Sequence, residues 1–108
     1  MNFYIGNSIE QLKENDENVE LDDEMVEYLY SVKEAIPFLT FFKIDPYSDT
    51  VVEKENIIDI ISMCEYVLNE QMLDDYDEKE EANKIISDLI VLGYSALNKE
   101  EKILVIGD

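Results

Sequence analysis

The pattern of apolar and polar residues along the chain first predicts helices. The broadest apolar stripe lies in Asn56–Leu68, and its members recur every three or four residues: Ile57, Ile60, Ile61, Cys64, Val67 and Leu68. A helix that is exposed on one side needs a narrower stripe. We therefore expect this helix, which begins near Glu53 or Lys54, to be central and covered by other elements on more than one side.

Two further stretches show helical spacing. One follows Asp22 and Asp23, which suit a cap and a first turn, and its apolar positions are Met25, Leu29, Val32, Ile36 and Leu39. Because Pro37 lacks an amide donor, we expect a kink or a restarted helix there. The other stretch, Glu78–Asn98, predicts a long helix. Gly93 lies near its stripe, and close packing against another helix would explain a glycine there.

Short apolar runs near both ends predict strands. Asn2–Ile5 is aromatic and apolar, and Ile103–Ile106 is a continuous apolar run typical of a strand buried on both faces. Asn18–Leu21 alternates and predicts a brief edge strand. Neither terminal strand can bury itself alone, so we expect the two to be neighbours. The predicted fold is α+β, one domain over residues 1–108, with a small two- to three-stranded sheet that pairs the terminal strands and packs against three main helices.

Charge narrows the choice of partners. The chain has 27 acidic and 8 basic residues, a formal net charge of -19, and every basic residue is lysine. Binding to nucleic acid or to an anionic membrane requires clustered cations, so we expect neither partner. A basic protein is favoured, because long-range attraction steers it toward an acidic surface. The alternative is an ordinary solvated acidic surface.

The beginning of the sequence and the cysteine usage indicate a compartment. Residues 1–12 lack the basic start and long apolar run of a signal peptide. No apolar run approaches the roughly 20 residues of a membrane span. The single cysteine, Cys64, falls within an apolar stripe and is expected to be a small buried hydrophobe, which fits a reducing compartment. We therefore expect a soluble, cytoplasmic protein.

The residue inventory gives little support to catalysis. The absence of histidine excludes Ser-His-Asp and Cys-His chemistry and histidine metal ligands, and one cysteine excludes a thiolate zinc site within the chain. Four acids near the second half, Asp74, Asp75, Asp77 and Glu78, have the chemistry of calcium ligands, but the segment has no central glycine and fails the EF-hand pattern. We expect no enzyme activity, cofactor or metal; an enzyme that uses carboxylates and a divalent metal is the remaining chemical alternative.

Two acidic loops that contain tyrosine are the candidate partner-binding segments. The first is KIDPYSDT, residues 43–50, and the second is LDDYDEKEE, residues 73–81. Tyrosine beside carboxylates is a good interface composition, because the ring gives contact area and the charges select the partner. The alternatives are a connector that caps the next helix, a solvated acidic loop, and rings that cover the edge of the core. The predicted binding residues are Asp45, Tyr47, Asp49, Asp74, Asp75, Tyr76, Asp77 and Glu78.

Three segments carry a resemblance to a known group: the opening FYIGN, the KIDPYSDTVV loop and the closing ILVIGD. They look like segments of an uncharacterised family of small acidic bacterial proteins that resembles the immunity proteins of toxin systems. The resemblance implies a stoichiometric inhibitor that occupies the cationic site of a secreted toxin domain, such as a nuclease. It carries over no binding residue. The alternatives are a structural or adaptor subunit of an assembly and a nucleic-acid mimic with spaced carboxylates.

Overall fold

The computed structural model describes residues 1–13 and 16–107. Its strands and helices follow the order β1 (Asn2–Gly6), β2 (Asn18–Glu20), α1 (Asp23–Ser31), α2 (Thr40–Lys43), β3 (Thr50–Val52), α3 (Lys54–Asn69), α4 (Lys79–Asn98) and β4 (Lys102–Ile106). Short 3-10 turns lie at Ile9–Gln11 and Lys33–Ala35. Among the helices of the described ranges, none combines the length and the apolar character that a membrane crossing requires.

The terminal strands form the centre of the sheet. Within the described residues the sheet has four strands in the order β2-β1-β4-β3, and every neighbouring pair is antiparallel. β1 and β4 pair along their whole length, from Asn2 opposite Ile106 to Gly6 opposite Lys102. The prediction that these strands are neighbours is therefore confirmed.

The predicted sheet of two or three strands is corrected by a fourth strand, β3. β3 covers only Thr50–Val52 and pairs with β4, with Val51 opposite Leu104. Three residues are too few to show the alternation that marks a strand in sequence. The pairing with the buried strand β4 supplies the conformation that the local sequence does not specify.

The last strand is buried on both faces, as its continuous apolar run predicts. Ile103 and Val105 point toward the helices, and both are fully buried. Leu104 points to the opposite face by the alternation of a strand, and it is also fully buried, beside Tyr4 of β1 and Val51 of β3. α4 lies against β1, β2 and β4 and is the helix in most direct contact with the sheet.

The helix α3 is central, as its wide stripe predicts. It packs against α4, α2 and β4, and it buries six side chains: Ile57, Ile60, Ile61, Met63, Cys64 and Val67. Burial raises the pKa of the Cys64 thiol to about 12, with a smaller contribution from the charge of Glu65. Gly93 of α4 packs against Ile57 and Ile61, so the predicted close contact between helices is present.

The first helix is shorter than its apolar spacing predicts. α1 ends at Ser31, and the next α-helix begins only at Thr40, so Pro37 lies outside both. A residue before proline avoids helical angles, and Ile36 is extended, with φ -107° and ψ 117°. The chain restarts as α2 where the Asp59 carboxylate of α3 accepts a hydrogen bond from the Thr40 amide at 2.9 Å.

Candidate partner-binding face

Helix α1 turns a row of acids to solvent because its opposite side is in the core. Met25, Val26 and Leu29 are buried, whereas Glu24 and Glu27 are exposed. The helix begins at a capped end, where the Asp22 carboxylate accepts a hydrogen bond from the Met25 amide at 2.9 Å. Acids in this first turn also complement the helix dipole. The cap and the buried side of α1 together determine that these acids face solvent.

The acidic loop after α3 packs against α1. Leu73 is buried, and the Tyr76 amide donates to the Leu73 carbonyl at 3.0 Å. Tyr28 of α1 donates its hydroxyl to the Met72 carbonyl at 2.9 Å. The Tyr28 and Tyr76 rings meet edge to face, with centroids 5.0 Å apart. These contacts fix the loop beside the exposed side of α1.

An open groove of about 390 Å³ lies between this loop and α1. Its lining includes Glu24 and Glu27 from the helix and Asp75, Tyr76 and Asp77 from the loop. Partial burial raises the pKa of the Tyr76 hydroxyl, and four carboxylates raise it further: Asp22, Glu24, Glu78 and Asp77. The groove is thus a site of negative potential that also offers an aromatic surface.

A second groove, of about 220 Å³, lies on the other side of α1. Its lining includes Val26 and Tyr30 of α1 and Pro46 and Tyr47 of the first predicted loop, and Asp23 and Glu27 add carboxylates. Tyr30 holds the adjacent chain by donating its hydroxyl to the Ile44 carbonyl at 3.1 Å. Tyr47 is 74% exposed, so most of its ring is open to a partner.

Glu27 lines both grooves, so the two form one surface along α1. We call this surface the α1 face and define it by five carboxylate residues and two tyrosines. Its members are Asp23, Glu24, Glu27, Asp75, Asp77, Tyr47 and Tyr76.

The structure brings half of the predicted binding residues to this face. Tyr47, Asp75, Tyr76 and Asp77 belong to it. Asp74 and Glu78 are exposed in the same loop but line neither groove.

The acids of the first loop have a structural role. The Asp45 carboxylate accepts hydrogen bonds from the Tyr47 amide at 2.9 Å and from the Ser48 hydroxyl at 3.1 Å. The Asp49 carboxylate accepts from the Gly107 amide at 3.2 Å, which ties the loop to the chain after β4. These two acids shape the loop that presents Tyr47, and neither lines a groove.

Sequence reasoning missed the acids of α1 itself. Glu24 and Glu27 lie three residues apart, off the apolar stripe, and such spacing places two side chains on one helix face. That signal is present in the sequence, but exposed acids on an amphipathic helix are also the ordinary solvated pattern. Only the tertiary position of α1, between the two loops, distinguishes Glu24 and Glu27 from ordinary solvated acids.

Within residues 1–13 and 16–107, no group of three or more possible ligand side chains is arranged to hold a metal ion. Comparisons with protein-family models, with curated proteins and with solved structures found no match to this chain.

Proposed function

We propose that this chain is a non-catalytic acidic binding protein that stoichiometrically inhibits a basic toxin domain, such as a nuclease, in the cytoplasm. The observation that supports the proposal is the α1 face, in which Glu27 joins two grooves that each hold a tyrosine beside carboxylates. Aromatic contact area supplies affinity, and the surrounding charges select a cationic partner.

The proposed mechanism is occupation of a cationic site. A protein that acts on nucleic acid carries clustered Lys and Arg for phosphates. The net charge of -19 accelerates the approach of such a surface, and the carboxylates of the α1 face then pair with its cations. The rings of Tyr47 and Tyr76 make apolar contacts with the partner between these ion pairs. Substrate is excluded because the same cations are already paired.

The tyrosine rings of the α1 face and the burial of the α3 stripe distinguish this proposal from its alternatives. A nucleic-acid mimic needs carboxylates at phosphate-like spacing, whereas the α1 face interleaves them with Tyr47 and Tyr76. The wide stripe of α3 would permit an adaptor subunit, but five of its six members, Ile57, Ile60, Ile61, Cys64 and Val67, are buried within this chain. That stripe therefore gives the adaptor alternative no specific support.

The test combines capture with a matched pair of variants. The full chain is immobilised, exposed to lysate of the source organism and washed with rising salt, and retained proteins are identified by mass. We expect one basic protein in stoichiometric amount, released as salt screens the charges. Glu24→Gln with Glu27→Gln should release it at lower salt. The control, Glu10→Gln with Glu55→Gln, removes the same charge from exposed positions outside the α1 face.

The captured protein is then assayed for activity against increasing amounts of the chain. Inhibition that is complete at equimolar chain supports the proposal. Equal retention by both double variants shows that the α1 face is not the binding surface. A captured protein that remains fully active when saturated refutes inhibition.

A further inference from the structure

The strand β2 has an open edge. It is the last strand in the order β2-β1-β4-β3, so no strand of the described residues pairs with its outer side. Leu21 and Met1 exchange backbone hydrogen bonds, at 2.9 Å and 3.2 Å. In an antiparallel ladder, hydrogen-bonded residue pairs alternate with pairs that are not hydrogen-bonded. The next hydrogen-bonded pair is therefore Val19 with Phe3. The amide and carbonyl of Asn18 and of Glu20 consequently point outward, away from β1.

A groove of about 260 Å³ opens beneath this edge, between the sheet and α4. Its apolar lining is Ile5 and Val19 from the sheet and Val91 and Leu92 from α4. Val91 is 67% exposed, so its methyl groups are available to a partner. We call this the β2 groove.

Two carboxylates add charge to the β2 groove. Glu17 and Asp88 belong to its lining, on the strand side and the helix side respectively. Asp88 pairs with Lys84 at 2.9 Å, but the Lys84 side chain is 74% exposed and that of Asp88 is 47% exposed, so an incoming cation can replace this solvated pair at little cost. The groove thus combines an apolar wall with acids.

We propose that the β2 edge and groove bind an extended, basic segment of a partner protein, which adds a strand beside β2. Outward amides and carbonyls supply the backbone hydrogen bonds of such an added strand. The partner residue opposite Val19 points to the same side as Val19 and enters the groove. If that residue is Lys or Arg, its stem packs on Val91 while its charged head reaches Glu17 or Asp88.

Charge selects this occupant over a second copy of the chain. Two copies joined edge to edge bring Glu17, Glu20 and Asp88 close to their own counterparts, and each copy carries a net charge of -19. That repulsion opposes a dimer and favours a cationic strand. The β2 groove shares no lining residue with the α1 face, so the two proposals hold or fail separately.

The probe is a synthetic eight-residue peptide of alternating Thr and Lys, titrated into the isotope-labelled full chain. We expect saturable NMR shifts at the Asn18 and Glu20 amides and at the Val19 and Val91 methyl groups. Amide hydrogen exchange at Asn18 and Glu20 should slow, because these amides become donors to the added strand. The peptide of alternating Thr and Glu should produce neither effect.

Three variants test the geometry. Glu20→Pro removes an outward donor and should weaken binding about tenfold, whereas Glu20→Gln removes the same charge, keeps the donor and should retain most of the affinity. Val91→Lys places a cation in the groove and should also weaken binding about tenfold. Val51→Lys makes the same change on β3, at the opposite edge, and should have little effect.

Several results would overturn the proposal. They are the absence of saturable binding, shifts spread evenly over the acidic surface, or equal weakening by Val91→Lys and Val51→Lys. Protection of the Asn18 and Glu20 amides without peptide, together with sedimentation as a dimer, would assign the edge to a second copy. Thermal melting of each variant confirms that the chain remains folded during the titration.

Discussion

Gly93 of α4 faces Ile61 of α3 so closely that a β-carbon at residue 93 would lie 2.6 Å from Cγ1 of Ile61. On an exposed helix, replacing glycine by alanine stabilises by about 1 kcal/mol. Here the added methyl group overpacks a contact against a stiff, β-branched and buried side chain, which costs roughly 1–3 kcal/mol. We therefore expect Gly93→Ala to lower the free energy of unfolding, as measured by urea denaturation.

A double-mutant cycle isolates this contact. Ile61→Ala alone should destabilise by roughly 2–5 kcal/mol, because it leaves a cavity. In the Ile61→Ala background, Gly93→Ala should no longer destabilise and should partly fill that space, so the two changes couple favourably. Additive effects of the two substitutions, or a stabilising Gly93→Ala in the native background, would contradict the packing argument.

Both long helices end with a residue in the left-handed region. Gln71 after α3 has φ 54°, and Glu100 after α4 has φ 56°. At the first end, the Met72 amide donates to the Val67 carbonyl at 3.0 Å, the hydrogen bond of a Schellman motif. Glycine adopts this conformation without steric cost.

We expect Gln71→Gly to raise the free energy of unfolding by about 0.5–1 kcal/mol. Glycine removes the steric cost of the left-handed conformation, and the greater entropy of glycine in the unfolded chain offsets part of that gain. Gln71→Ala is the control, since alanine keeps the penalty and should give no gain. Urea denaturation measures both. A Gln71→Gly variant no more stable than Gln71→Ala would show that the backbone here is relaxed.

The buried thiol of Cys64 predicts a loss of stability at alkaline pH. Its pKa is raised from 9.0 to about 12 in the folded chain. Above pH 9 the unfolded thiol ionises while the folded thiol stays protonated, so the unfolded state binds fewer protons and stability falls as pH rises. The slope from this group is about 1.4 kcal/mol per pH unit until the pH reaches the folded pKa.

The measurement is urea denaturation of the native chain and of Cys64→Ala at several pH values between 9 and 12. The variant is expected to be less stable at neutral pH, because it loses buried volume. The difference between the two curves should shrink as pH rises, since only the native chain has the thiol. Parallel curves would mean that the thiol ionises equally in both states.

The carboxylates of the α1 face should be detectable through Tyr76. The pKa of its hydroxyl is raised above 10.0 by partial burial and by neighbouring carboxylates, among them Glu24. Glu24→Gln should therefore lower the pKa of Tyr76, as followed by NMR of labelled tyrosine. Glu10→Gln removes the same charge elsewhere and should leave the value unchanged. An equal shift in both variants would indicate a general effect of net charge rather than a local field.

Sequence alone could predict the elements with long patterned runs. In the stripe of α3 and the apolar run of β4, many neighbouring residues share one pattern, so the local sequence is sufficient to predict each element. β3 is too short for a pattern, and its conformation depends on β4. The apolar spacing through Ile36 continues beyond α1 by coincidence, because that residue is buried without being helical.

The candidate site divides in the same way. Composition is sufficient to single out Tyr47 and Tyr76, since tyrosine among acids is visible in the sequence. It also singles out Asp45 and Asp49, but it cannot show that their carboxylates accept hydrogen bonds from backbone amides of the folded chain. Composition passes over Glu27, which lines both grooves because α1 lies between two loops that are remote in sequence.

The pairing of β1 with β4 also constrains the order of folding. Residues 2–6 and 102–106 form the middle of the sheet, so this contact closes a loop of almost the whole chain. Closing such a loop costs more entropy than the contact between α3 and α4, which follow one another directly. We expect the α3–α4 hairpin to form early and the sheet to complete late, with the folding rate limited by the search of β4 for β1.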